Sequence, residues 1–337
     1  MSDKDKKKAD IVAVANAARV SPATVSRFFN RPELVKGATR KRIDKAVKRT
    51  GYIRNRAAQT IHGIRSGTIG LLVPTIDHTI FAEVVQAFSD AVGAQGFTIL
   101  LGSHNYDTAR EYDILRKFLE HRVDGVALVG LDHSEDVFNL LESQDIPAVL
   151  LWSHSAVSRL PCVGADNHAA GALIAGHALA RGHRKITTLF PPLEGNDRAA
   201  SRARGVLETL AAQGAAPARA DQLETPYSVS SAKAAVLEYL RQGARPEAII
   251  CGNDVLALGA VYAVHALGMR VPDSIAVTGI GDFKGSREVE PALTTVRIPA
   301  RTIGTAGGEA LAHSIISPER RVQNLLCPSE LMVRASC

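Results

Sequence analysis

Residues 20–32 read VSPATVSRFFNRP, and the reading of the N-terminal end turns on this stretch. Ser21 offers a hydroxyl to free backbone amides, and Pro22 follows at the first helical position, where its missing N–H costs nothing. The pattern predicts a helix from Pro22 to about Phe29. On that helix Val25, Phe28 and Phe29 fall inward, while Pro22, Ala23, Thr24, Ser26 and Arg27 project outward as short side chains around one long cation. Upstream, Ile11, Ala15 and Ala18 recur at i, i+4 and i+7 and predict a short helix with a small apolar face; Arg19 to Ser21 form the turn. Downstream, Ala38 to Thr50 predicts a third helix that buries Ile43, Ala46 and Val47 and stops at Gly51. The outward face of the second helix fits a major groove. There Arg27 can donate in parallel to guanine O6 and N7, Thr24 and Ser26 suit phosphate or base contacts, and Ala23 can meet a thymine methyl.

The charge distribution points the same way. Residues 1–66 carry 17 Lys/Arg against 5 Asp/Glu, net +12, whereas the remaining 271 carry 23 against 29, net −6. A modest overall charge of +6 thus hides a strongly basic head, whose natural partner is a polyanion, because each neutralised phosphate releases counterions. The opening MSDKDKKKAD is polar, and no apolar run approaches the ~20 residues that span a bilayer, so a cytoplasmic protein without membrane contact is expected. Cys162, Cys251, Cys327 and Cys337 are widely spread and form no CxxC pair, which indicates neither a zinc site nor a disulfide framework.

After Ser66 the chain changes character. TIGLLV, TILLG, VALVG and AVLL are short apolar runs separated by helical segments, which predicts a parallel sheet covered on both faces. A second series begins near Val163, with strands near KITTLF, AIIC and IAVTGI and helices such as Asn167–Ala180 and Asp254–Leu267. The fold class expected is therefore α/β, with two doubly wound lobes in tandem behind a small helical head. Ligands of such sheets sit beyond the carboxyl ends of the strands. The loops there offer Thr75, Asp77 and Phe81; Ser103, His104 and Asn105; Trp152 and Ser153; Arg198 and Arg202; Tyr227; Asn253 and Asp254; Gly281 and Asp282.

Together with TRKRIDKAVKRTGYIRNRAAQTIHGIRSGTIGLLVP, IFAEVVQAFSDAVGAQGF, VDGVAL, VGADN, GNDVLALGA and LGMRVPDSIAVTG, the opening stretch resembles the LacI/GalR family of bacterial repressors over nearly the whole chain, and within it the gluconate-operon repressors most. The resemblance implies a helix-turn-helix head over 1–54, a hinge helix and linker over 55–66, and a periplasmic-binding-protein-like sensor. Its first lobe would comprise 67–165 plus 299–325 and its second 166–298 plus 326–337. The recognition helix would run from Pro22 to Asn30 behind Ser21. Asn55, Arg56, Ala58 and Ile61 would fall on the hinge, with Ile61 wedged into the minor groove at the operator centre. The sequence departs from the family in three places here: Arg19 where glycine is common, Arg54 where proline is common, and Ile61 where leucine is common.

For the sensor the resemblance places Arg202, in the RxxG that ends at Gly205, on a small-molecule effector, with Asn253 reaching the ligand and Asp254 as readily capping its helix. Tyr227 would offer an aromatic face; Asp77, Phe81, His104, Trp152, Arg198 and Asp282 complete the expected effector site. Gly281 in GIGDF stands where sugar-binding members carry an acid. Loss of that carboxylate beside Arg198 and Arg202 favours an acidic ligand, a sugar acid such as gluconate, over a neutral sugar. A homodimer on pseudo-palindromic double-stranded operator DNA is expected, with a repressor's function and the effector as inducer.

Other classes fare worse. Gly279, Gly281 and Gly285 miss the GxGxxG spacing, His177 and His183 lack a third metal ligand, and no HExxH occurs, so neither enzyme chemistry, metal nor cofactor is expected. A transport binding protein would not need the basic head. An architectural DNA binder would not need a 271-residue sensor.

Overall fold

The computed structural model describes residues 9–54, 65–77 and 79–337, which divide into two compact units at Ser66 and Gly67. The smaller unit is the head. Helix α1 (Ile11–Ala18) starts where the Asp10 carboxylate accepts from the Ala13 N–H at 2.8 Å, and it ends on Arg19 with φ 53. Arg19 therefore adopts a left-handed conformation that glycine takes without steric cost. Helix α2 (Pro22–Asn30) opens with Ser21 Oγ accepting from the Thr24 N–H at 3.2 Å, and it runs to the residue after Phe29. Helix α3 (Gly37–Thr50) stops on Gly51, φ 66. Val14, Ala15, Ala18, Val25, Ile43 and Ala46 form the buried centre, with Phe28, Phe29 and Tyr52 packed around it. Pro22, Ala23 and Arg27 face solvent, as the periodicity requires.

The larger unit contains two six-stranded sheets. The first is built from β1 (Thr68–Val73), β2 (Thr98–Ser103), β3 (Gly125–Val129), β4 (Ala148–Ser153), β5 (Cys162–Ala165) and the late strand β11 (Leu325–Leu326). Its order is β11-β5-β4-β3-β1-β2, and every pairing is parallel. Helices α4 (Thr79–Ala94), α5 (Glu111–Glu120) and α6 (Glu135–Ser143) cover it, with α11 (Ala300–Ile316) returning late in the chain to pack on α4. The second sheet is built from β6 (Ile186–Phe190), β7 (Gln222–Glu224), β8 (Ala248–Cys251), β9 (Ala276–Gly281), β10 (Thr294–Arg297) and β12 (Glu330–Met332). Its order is β12-β10-β9-β8-β6-β7, and only the β10–β12 pairing is antiparallel. Helices α7 (Asn167–Ala180), α8 (Asp197–Ala212), α9 (Val229–Arg241) and α10 (Asp254–Ala266) clothe it.

Burial on both faces explains the continuous apolar runs: Leu71, Leu72 and Val73 of β1 and all of β8 are buried. The chain passes between the two sheets more than once, and residues at or just past the carboxyl ends of β1, β4, β6 and β8, among them Thr75, Trp152, Pro191 and Asn253, line one cleft. Among the described residues, no helix is long and apolar enough to cross a membrane.

Candidate functional site

Helix α8 reaches the cleft because two glycines let it lie against α7 almost backbone to backbone. A Cβ on Gly205 would sit 2.1 Å from the His168 carbonyl oxygen, and one on Gly171 would sit 2.2 Å from that of Arg202. The glycine of RxxG is thus what carries Arg202 into the interior. Arg202 is only 5% exposed, and its guanidinium donates to Asn167 Oδ1 at 2.8 Å and to the Gly252 carbonyl at 3.2 Å. Both partners are neutral, and among the described residues no carboxylate lies within ion-pair distance of it. Burial pushes its pKa below that of an ordinary arginine; the nearby Arg198 adds to the lowering, and the attraction of Tyr227, Asp254 and Tyr106 does not offset it.

Arg202 lines a small inner pocket of about 20 Å³ with Arg198, Asn253 and Phe283 from one lobe and Phe81 and Trp152 from the other. Trp152 has φ 82, packs against Phe81 with ring centres 5.4 Å apart, and among the described residues its buried Nε1 has no hydrogen-bond partner. Tyr106 and Tyr227, 5.6 Å apart and tilted by 32°, separate this pocket from an outer cavity of about 430 Å³ that Thr75, Asp77, Asn105, Glu194 and Asn196 also line. Asp77 is exposed at this mouth. Asn196 donates to the Tyr227 hydroxyl at 3.3 Å and steadies it.

Arg198 is differently placed. It pairs with Asp197 at 2.7 Å and donates to the Val129 carbonyl at 3.3 Å, across the cleft. The second oxygen of Asp197 accepts from the Leu131 N–H at 3.1 Å and from Ser153 Oγ at 3.0 Å, while Asn167 donates to that same Oγ at 3.2 Å. A continuous hydrogen-bonded chain therefore joins Arg202 through Asn167 and Ser153 to Asp197, which ties one lobe to the other.

Several expected site residues lie elsewhere or act otherwise. Asn253 caps α10, its Oδ1 accepting from the Leu256 N–H at 2.9 Å, so capping falls to Asn253 and not to Asp254. The Asp254 carboxylate instead accepts from the Phe283 N–H at 2.9 Å and from Ser286 and Thr295, each at 2.6 Å; burial raises its pKa. Asp282 does not line the pocket: its oxygens are taken by Arg297 at 2.8 Å and Arg334 at 2.5 Å. His104 does not line it either, being buried 3.3 Å from Glu111, which also meets His133 at 2.9 Å. Burial lowers the His104 pKa, outweighing the attraction of Glu111. Tyr106 and Phe283 line the pocket without having been anticipated. A Cβ on Gly281 would fall 2.0 Å from the Phe283 ring, so the glycine leaves the room that this ring occupies.

In the head, Ser21 and Thr24 share a hydroxyl contact at 2.9 Å, and Asn30 donates to Ser26 Oγ at 3.3 Å. Asn55, Arg56, Ala58 and Ile61 lie outside the described residues. Among those described, no three His, Cys, Asp or Glu side chains could hold a metal ion.

The lacI family of bacterial regulatory proteins matches residues 10–55, and a periplasmic binding protein-like domain matches residues 175–337. The HTH-type transcriptional regulator GntR of Pseudomonas aeruginosa is 30% identical over 324 residues, covering 96% of this chain and 94% of its own. The HTH-type transcriptional repressor PurR of Klebsiella pneumoniae is 29% identical over 331 residues, 97% of this chain and 96% of its own. The lac repressor dimer bound to operator and the anti-inducer ONPF superposes with a TM-score of 0.86 at 26% identity, over 98% of this chain and 99% of that one.

Proposed function

The chain belongs to the LacI family, whose members are DNA-binding transcriptional regulators rather than enzymes, and from that premise we propose that it represses a carbohydrate-utilisation operon until a small sugar acid such as gluconate releases it. The observation that carries the acid is Arg202, buried and, among the described residues, hydrogen-bonded to neutral groups alone. A buried charge without a direct ion pair is costly, and a carboxylate accepting from the guanidinium would relieve that cost with a bidentate pair. The Trp152 N–H in the same pocket, without a partner among the described residues, is a second donor for such a ligand.

The inner pocket holds roughly one water. A hexonate would seat its carboxylate there and its hydroxylated chain in the outer cavity, with Tyr106 and Tyr227 parting to admit it. Thr75, Asn105, Asp77 and Glu194 would then face the hydroxyls. Binding that displaced the Arg202–Asn167 bond would disturb the chain leading to Asp197, and lobe movement would reach the heads through the hinges. Two heads in a homodimer would read a pseudo-palindromic operator, as a single head covers too few base pairs. Such a regulator works in the cytoplasm.

The similarity to GntR supports the acid; the similarity to PurR makes a purine the specific rival. Isothermal titration of the full chain with gluconate, glucose and guanine separates them. Gluconate alone binding, and failing to bind Arg202→Met, is the expected result; binding of glucose or guanine alone would overturn the acid.

A further inference from the structure

Arg54 closes the described part of the head, and its guanidinium reaches back to the last turn of α2. It donates to the Phe29 carbonyl at 3.4 Å and to Asn30 Oδ1, and it lies over the Phe29 ring 5.6 Å from its centre. A helix C-terminus, with its outward carbonyls, favours a cation there. Asn30 passes the constraint on. With Oδ1 accepting from Arg54, the amide must turn Nδ2 toward the helix, where it donates to Ser26 Oγ at 3.3 Å. A hydroxyl that accepts in this way keeps its own proton for another partner. Ser26 is half-buried on the outward face beside exposed Arg27.

We propose that Arg54 is a positioning residue for operator specificity: by fixing the Asn30 amide it leaves Ser26 a hydrogen-bond donor toward DNA. At the base Ser26 faces, α2 then favours an edge that offers an acceptor, such as guanine N7 and O6, adenine N7 or thymine O4. It disfavours cytosine, whose N4 donor must compete with the Asn30 amide for the hydroxyl's lone pairs and leaves the hydroxyl proton without an acceptor. The rival role for an arginine at this place is a phosphate contact, which would add affinity without adding preference.

The two roles separate in a selection experiment with the full-length protein on a randomised double-stranded DNA pool, followed by affinity measurements over a range of salt on the selected duplex and its single-base-pair variants. Arg54→Ala and Ser26→Ala are expected to shift preference at the same base pair, by about fivefold, with no further shift in the double variant. Arg54→Lys behaves like Arg54→Ala, because a point charge cannot span the Phe29 carbonyl and the Asn30 side chain. The salt slope stays at its wild-type value. The proposal is overturned if Arg54→Ala weakens all sequences alike with a slope lower by about 0.9 and Arg54→Lys restores both. An unchanged preference profile, or a shift at a base pair other than the one Ser26→Ala alters, overturns it equally. Should Arg54→Ala unfold the head, Arg54→Lys compared with Ser26→Ala decides on the same criterion.

Discussion

Arg202→Met removes a charge that is buried without a carboxylate partner among the described residues, and its effect on stability has an unusual expected size. The substitution strands the Asn167 Oδ1 and the Gly252 carbonyl, which now accept from the guanidinium at 2.8 and 3.2 Å. Each stranded acceptor costs about 1–3 kcal/mol. Against this, the effective penalty of keeping an ion out of water is several kcal/mol, and an apolar chain of similar length escapes it. The terms nearly cancel, so the variant is expected to stay within about 2 kcal/mol of wild type, where truncating a buried leucine such as Leu150 costs about 2–5 kcal/mol. Ligand response behaves oppositely. At a gluconate concentration of 100 times Kd the wild type gains about 2.7 kcal/mol, and the variant gains nothing. Urea melts of both proteins, with and without gluconate, read all four quantities. A loss above about 3 kcal/mol in the variant without ligand would show that Arg202 is a strut of the fold, and the anion-receptor reasoning would fail.

Other expectations follow from the same contacts. Asp197→Ala takes the counter-ion from buried Arg198 and the acceptor from Leu131 and Ser153; it should cost about 3 kcal/mol, and a urea midpoint equal to wild type would refute the tie between lobes. Gly205→Ala forces a Cβ to 2.1 Å from the His168 carbonyl, so α8 must move from α7 at a cost of about 1–3 kcal/mol; effector affinity, measured by titration, should fall with it. Burial lowers the pKa of His104, His177 and His183, so the unfolded chain binds protons that the native chain refuses once pH drops below the ordinary histidine range. Their contribution is present above about pH 6.5 and lost as pH falls. The melting temperature should therefore decline between pH 7.5 and 5.5, less steeply in His104→Gln; an identical decline in that variant would remove His104 from the explanation.

The parts legible in the sequence are those governed by near neighbours. Ser21 and Pro22 announce the start of α2, Gly51 the stop of α3, and the apolar runs with intervening helices give the parallel strands of both sheets, because each signal spans only a few residues. Arg202 comes from the family resemblance carried by RxxG, although why glycine is needed appears only when α7 lies against α8. What stayed hidden depends on distant partners. Asp282 looks like a cleft carboxylate until Arg297 and Arg334, 15 and 52 residues away, consume it. His104 is claimed by Glu111, and Asn253 and Asp254 divide capping and cross-linking by backbone geometry that their order in the sequence does not encode. Tyr106 reaches the pocket because it and Asn105 both adopt positive φ, 62 and 52, a turn without a glycine to mark it.

The central claim, that an acidic ligand on Arg202 governs DNA binding, is tested most directly by titrating gluconate into the complex of the full-length protein with its selected operator duplex. Fluorescence anisotropy should show release from the wild type, by about 5–150-fold in affinity, and none from Arg202→Met. Release by glucose or guanine but not by gluconate, or a DNA affinity indifferent to every small molecule, would contradict the account.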